Sequence, residues 1–395
     1  MTVAVVVDAA RTALGARNGQ LSGWHPADLA ATVLVALAER NHLDPVEVED
    51  VIMGCATQVG DQGLNLGRSA VLAAGWPESV PATTVDRRCG SSQQAVHIAA
   101  QGVVAGAYQV AVAAGVEVMS TTPPGSSVLP GTTTFGPGVI DRYAGRGGLV
   151  PPGVAAELVA EAFGLGRDDL DRLAAASQRR AWRATEAGWF RHEVVPVAAR
   201  RWDRERGRAV ALDTVARRDE PIRAETTTET LAALKPSFTP GGTTTAGNTA
   251  PSADGAAAVL VMSQRRAEQL SLAPRARFRA FAVAGADPRA MLTATIPATA
   301  LVLDRARLGI DDIDRVEVNE ASASAVLAWA RQHGADLDRV NVCGGAIALG
   351  NPLGCAGTRL LTTLVNELER SRGRYGLQVT GGDGVATATV IERVA

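Results

Sequence analysis

The chain has 395 residues, of which 46% are hydrophobic, enough for a large buried core and more than one folding unit. Its formal net charge is −2, a balance that offers no bulk attraction to nucleic acid or to an anionic membrane surface. Four cysteines (Cys55, Cys89, Cys343 and Cys355) lack C-x-x-C metal spacing and are too few for a disulfide framework in a chain this long. Free thiols and a cytoplasmic setting are expected.

In chain order, Val3–Asp8 reads as a buried strand with no basic leader before it. Ala27–Arg40 carries apolar residues at helical spacing, with Pro26 near its start. Val51–Met53 is a strand closed by Gly54. Thr83–Val85 is a strand feeding a sharp turn, Cys89–Gly106 a long helix, and Gln109–Ala114 a strand ending at Gly115. Alternating strands and helices predict a layered α/β unit.

From about 120 to 153 the chain becomes rich in Gly, Pro and Thr, then yields amphipathic helices over Ala155–Phe163 and Asp168–Ala187. A charged run follows at Arg200–Arg208, read as a solvated face more readily than as a phosphate site. A long irregular insertion in an α/β enzyme usually serves function. The last third returns to the opening pattern. Leu43 to Gly54 resembles Ile310 to Glu320, each a short acidic link leading into a strand. A helix near Gly354–Ser371 then leads to a strand at Leu377–Val379 and to Gly381-Gly382. Two copies of one α/β unit flanking an insertion are expected.

The chemistry centres on Cys89, in Asp86-Arg-Arg-Cys-Gly-Ser-Ser-Gln-Gln-Ala95. A thiol where a strand turns into a helix feels the positive end of the helix dipole and unpaired backbone N–H groups. Such surroundings lower a thiol pKa from roughly 8.5, whereas a buried, inert cysteine is the plainer alternative. The stretch Asn341 to Arg359 holds five glycines, which implies tight turns and close backbone approach.

Four blocks together resemble the thiolase family: Arg87-Arg-Cys89-Gly-Ser-Ser-Gln-Gln-Ala, Thr245 to Ala256, Asn319-Glu-Ala-Ser-Ala323, and Gly344 to Gly357. Supporting segments (Arg11-Thr12 with Gly15, Phe190 to Pro196, Asp219-Glu-Pro-Ile-Arg223, Leu231–Phe238) extend the likeness over essentially the whole chain. The resemblance implies a thiolase fold: two βαβαβαββ halves with five-stranded sheets in an α-β-α-β-α arrangement. The expected division is 1–118 plus 245–267 for the first half, 119–244 for a CoA-holding loop domain, and 268–395 for the second half.

It further implies an acyltransferase acting on acyl-CoA or carrier-bound thioesters, with CoA as substrate or product, no metal or other cofactor, and a homodimer or homotetramer. Cys89 would accept the acyl group, and Asn319 would hold a water in one oxyanion hole. Arg223, Leu234, Phe238 and Ala246 match CoA-facing positions, and Ala250 stands where many members carry a serine that bonds the pantetheine. Three positions depart from the pattern. Position 351 is Asn where a histidine would activate Cys89, the turn Gln378-Val-Thr-Gly-Gly-Asp-Gly384 lacks a second cysteine, and Ser322 replaces a phenylalanine.

Asn351 keeps a hydrogen-bond donor for a thioester oxygen but takes no proton from a thiol. None of the five histidines lies in a catalytic block, and His97 reads as a packed residue. Cys343 and Asp383 are candidates for a substitute base, with structural roles the simpler reading of both. Two functions remain open: acyl transfer through Cys89, or acyl-CoA binding without catalysis, including service as a partner subunit.

Overall fold

A computed structural model describes residues 2–394. The first half runs β1 (Ala4–Thr12), α1 (Pro26–Arg40), β2 (Asp50–Gly54), α2 (Leu66–Ala73), β3 (Ala82–Val85), α3 (Ser91–Ala105) and β4 (Val110–Val118). The insertion contributes α4 (Pro152–Ala162), α5 (Arg167–Glu186) and a two-stranded ribbon, β5 (Val197–Asp203) with β6 (Arg208–Ala216). The chain then returns through β7 (Ala253–Ser263) and repeats the scheme as β8 (Ala276–Gly285), α6 (Thr295–Ala306), β9 (Arg315–Val318), α7 (Ala323–His333), α8 (Ala356–Ser371), β10 (Tyr375–Gly382) and β11 (Val385–Arg393).

The strands lie in the order β3-β2-β4-β7-β1-β8-β11-β10-β9. Reading outward from the centre, β1 answers β8, β7 answers β11, β4 answers β10 and β2 answers β9. The internal repeat expected from the two acidic links is therefore a repeat of topology. It differs from two separate five-stranded sheets in two ways. The halves join edge to edge, with Val5 opposite Arg277 and Val6 opposite Ala276 on antiparallel β1 and β8. The counterpart of β3 shrinks to one parallel bridge, Val316 to Val340, because Asn341 turns the chain there in a left-handed conformation (φ 47°).

The layering follows from side-chain alternation on strands covered on both faces. All nine residues of β4 are buried. Val110, Val112, Ala114, Val116 and Val118 face a cluster with Leu29, Val33, Leu34 and Leu37 of α1. Ala111 and Ala113 face the opposite cluster, built from Val96, Ala99 and Val103 of α3 and Leu361, Leu364, Val365 and Leu368 of α8. Helices α3 and α8 thus form a shared middle layer, and α6 and α7 cover the far face of the second half. Among the described residues no helix is long and apolar enough to cross a membrane.

Arg11 ties the insertion to this frame. Fully buried on β1, it donates from Nε to Glu193 (2.6 Å) and from Nη1 and Nη2 to Asp219 (2.7 and 3.0 Å). Asp219 also accepts from the Leu14 N–H at 2.8 Å, and Thr363 of α8 donates to Glu193. Removing one member of such a group strands buried charge. Arg11→Ala is expected to destabilise the protein by about 3–5 kcal/mol, whereas Arg206→Ala, which breaks an exposed pair with Asp203, should cost under ~1 kcal/mol. Thermal unfolding of the two variants checks the contrast.

Candidate active site

Cys89 lies in a single 3-10 turn, Arg88–Gly90, immediately before α3. The turn is locked locally. Asp86 Oδ1 accepts the Arg88 N–H at 2.7 Å, Ser91 Oγ accepts the Arg87 N–H at 2.8 Å, and the same hydroxyl donates to the Arg88 carbonyl at 2.6 Å. Arg88 is held at φ 52°, a left-handed conformation that a β-carbon disfavours. The thiol is buried at 7% exposure.

Two segments of the second half converge on it. After the short helix Ala346–Leu349, Gly350 turns with φ 92°, where a β-carbon would also fall 2.6 Å from Ala253 Cβ. Asn351 then pairs its N–H with the Pro251 carbonyl (3.0 Å) and points Nδ2 at Cys89 Sγ, 3.7 Å away. The second segment is the β10–β11 turn, where a β-carbon on Gly382 would stand 3.5 Å from Sγ. Asp383 follows, also left-handed at φ 52°, and accepts from Arg88 Nε at 2.7 Å.

Asn319 closes β9, its N–H bonded to the Val379 carbonyl at 2.9 Å. Its Oδ1 and Nδ2 are both buried without a protein partner, as is Asn351 Oδ1. Buried amide groups of this kind are normally satisfied by water or ligand. Glu320, next in sequence, is consumed structurally, accepting from Ser177 Oγ (2.7 Å), Asn341 Nδ2 (2.9 Å) and the Ile347 N–H (3.1 Å).

The electrostatics oppose the helix-terminus expectation for Cys89. Burial pushes the thiol up to about 11; the Asn351 hydrogen bond and the residue's own N–H pull down, while Asp383 and Glu117 push further up. Desolvation therefore outweighs the helix N-terminus, and at neutral pH the thiolate is on the order of one molecule in 10⁴.

A groove of ≈ 680 Å³ has a wall that includes Arg17, Arg223, Leu234, Ala246, Ser252 and Ile347. Ser252 also forms a parallel bridge with Asn351, which links groove and thiol.

Known proteins resemble this chain in sequence and fold. Residues 4–265 match the family described as Thiolase, N-terminal domain, and residues 272–393 match Thiolase, C-terminal domain. The chain belongs to the thiolase family, acyltransferases that act on CoA thioesters. It is 43% identical to the steroid 3-ketoacyl-CoA thiolase FadA6 of Mycobacterium tuberculosis, over 100% of this chain and 95% of that protein. It is 42% identical to a 3-ketoacyl-CoA thiolase of Klebsiella pneumoniae, over the full length of both. Among solved structures, the Bacillus anthracis acetyl-CoA acetyltransferase superposes with a TM-score of 0.88 at 33% identity, covering 100% of this chain and 99% of that one.

The residues expected from the thiolase resemblance do not all gather at the site. Arg223, Leu234 and Ala246 line the groove. Phe238 instead packs on Gly153 of α4, and Ala250 uses its N–H to bond the Ala321 carbonyl; neither lines the groove. Ser322 caps α7, its Oγ accepting the Ser324 N–H.

Of the two substitute bases considered, Cys343 is misplaced. Its thiol donates to Glu367 at 3.6 Å, beside a separate cavity lined by Trp189 and Arg370, and burial raises its pKa well above normal. Asp383 does stand beside Cys89. All five histidines are accounted for elsewhere. His25 caps α1, His42 is exposed, His192 lines the Trp189 cavity and His333 lies against Trp329. His97 is buried, bonded to Thr389 Oγ1 at 2.8 Å, with burial lowering its pKa to about 3. The charged run Arg200–Arg208 is the tip of the β5–β6 ribbon.

The sequence reading missed Glu117. Its carboxylate accepts from the N–H groups of Ala56 (2.9 Å), Thr57 (3.1 Å) and Gly354 (2.8 Å), and from Gln62 Nε2 (2.8 Å). It thereby braces the loop after β2 against the turn that carries Asn351. The available signal was one glutamate in an otherwise apolar strand, Val-Ala-Val-Ala-Ala-Gly-Val-Glu-Val. Burial raises its pKa, although all four donors favour the carboxylate.

Because both oxygens face donors, Glu117→Gln places an NH2 group against an N–H in either orientation. It should destabilise by about 1–3 kcal/mol, read by thermal unfolding. Alkylation of Cys89 by iodoacetamide should keep rising from about pH 7 to about pH 10 without the plateau expected of a thiol near 8.5. Asn351→Ala should displace that profile to still higher pH, since the donor to the thiolate is lost.

Proposed function

We propose that the protein transfers acyl groups from CoA thioesters through an acyl-Cys89 intermediate, with Asn351 and an Asn319-held water receiving the charge that develops on the thioester oxygen. The observation carrying this reading is the amide of Asn351 against Sγ, together with an Asn319 side chain whose two polar atoms are buried without a protein partner. Oriented donors in a water-poor pocket stabilise an oxyanion at little reorganisation cost. The relatives' names, 3-ketoacyl-CoA thiolase and acetyl-CoA acetyltransferase, support the donor class. The groove with Arg223 and Leu234 suits the CoA arm, with the segment 119–244 as its holder.

In the first step Sγ attacks the thioester carbonyl, the bond to the CoA sulfur breaks, and the thiol proton goes to the departing thiolate. In the second step an acceptor carrying an S–H, O–H or N–H bond attacks the acyl-enzyme and the proton returns to Cys89. No imidazole stands by to assist, and losing a general base typically costs 10²–10⁴-fold. Attack by a heteroatom is less affected than carbon–carbon bond formation, which requires removal of a proton from carbon. The protein therefore favours acyl transfer to a protic acceptor over condensation. CoA serves as substrate or product with no further cofactor, and a homodimer or homotetramer in the cytoplasm is the working form.

Intact-protein mass spectrometry after incubation with acetyl-CoA tests the reading. A single acetyl adduct is expected on the wild type and none on Cys89→Ala. CoA binding by calorimetry without an adduct would identify a non-catalytic binder instead. Asn351→His should accelerate adduct formation by about 10²-fold or more.

A further inference from the structure

Cys89 lies between two left-handed turns, one from each half of the molecule, and a single ion pair joins them. Arg88 at φ 52° and Asp383 at φ 52° both carry β-carbons in a region of backbone space that costs of order a strained residue each. Such strain persists only where the surroundings impose it. Here Arg88 Nε meets Asp383 Oδ2 at 2.7 Å. Arg88 Nη1 also reaches the Ala56 carbonyl at 3.4 Å and lies 3.8 Å from Asp86. Gly382, the neighbour of Asp383, is the residue whose β-carbon position falls 3.5 Å from Sγ, with Arg88 Cβ at 3.7 Å from the same point.

We infer that Arg88 and Asp383 are a positioning pair for Cys89: their ion pair holds the two turns closed on the thiol and governs how much of the Asp383 charge reaches it. The inference rests on Cys89 being the reactive group but requires no acyl donor. Of the charged groups around Cys89, Asp383 comes from the β10–β11 turn, Glu117 from β4, and Asp86, Arg87 and Arg88 from its own turn. The amide nearest to it, that of Asn351, is neutral. Glu117 is engaged by four donors, so its charge is fixed in place. Asp383 and Arg88 are about half exposed, at 49% and 44% for their side chains, so their pairing is free to change where that of Glu117 is not.

A purely structural pair would make both single variants behave alike, since each opens the same contact. A pair that governs the thiol makes them diverge. Removing the Asp383 charge eases formation of the thiolate. Removing Arg88 leaves the Asp383 charge unneutralised beside Sγ and opposes it.

The experiment is the pH dependence of Cys89 alkylation by iodoacetamide, read by intact mass, with Cys89→Ala supplying the background from the other thiols. Asp383→Asn should alkylate about threefold faster than wild type at a fixed pH near 8, its profile moved to lower pH by about half a unit. Arg88→Ala should move about as far in the other direction, and Arg88→Lys should stay near wild type. Asparagine tolerates the left-handed backbone, so Asp383→Asn keeps the turn and decides the matter even if Arg88→Ala does not fold. Shifts in the same direction for both variants, or an unchanged profile for Asp383→Asn, would overturn the inference. Because alkylation needs no CoA thioester, a failure here is distinguishable from a failure to form the acyl-enzyme.

Discussion

The structure depends on how closely its two central helices approach. A β-carbon at Gly357, in the first turn of α8, would fall 2.1 Å from the backbone nitrogen of Gln93 on α3, so only hydrogen fits there. The contact brings the start of one half's central helix onto the first turns of the other's. The same two helices carry the middle-layer core of Val96, Ala99, Val103, Leu361, Leu364 and Leu368. Ser92 Oγ accepts the Thr358 N–H at 2.9 Å, and Gln93 Nε2 donates to the Gln378 carbonyl and to Thr389. Residues from distant parts of the chain are thus fixed around Cys89 by helix packing, before any catalytic side chain is considered.

Much of this was legible in the sequence where the information is contiguous. The turn carrying Cys89, the Asn319 segment and the glycine-rich stretch before α8 are each unbroken runs with their own local logic. The alternation of strands and helices gave the layered fold, because β4 and β7 are buried on both faces and read as solid apolar runs. What was not legible depends on distance. Glu117 looks like an anomaly in a strand until Ala56 and Gly354 are brought to it. Phe238 and Ala250 matched groove positions by sequence order, yet one packs on Gly153 and the other pairs with Ala321. The helix-terminus argument for Cys89 named a true effect and missed the larger one, desolvation, because burial of a single thiol is a property of the assembled interior.

The company of Cys89 gives the site its chemical character. Its neighbours include an amide donor, that of Asn351, and a half-exposed aspartate, Asp383. Burial holds the thiol up near 11, so a resident thiolate is scarce at neutral pH. Asn351 suits such a thiol, since an amide donates to sulfur without changing its own protonation.

That asparagine also shows how little the path of the chain here depends on its side chains. The path of the chain at position 351 is set by its backbone: the bond to Pro251, the bridge to Ser252 and the positive φ of Gly350. The turn at 382–384 is likewise set by Gly382, Gly384 and the β10–β11 pairing. Ser322 caps α7, which gives that position a structural role independent of any substrate contact. Side chains in the second half can therefore change without moving Cys89, which belongs to the first half and to its own locked turn. The repeat divides the work accordingly, one copy fixing the position of the sulfur and the other deciding what surrounds it.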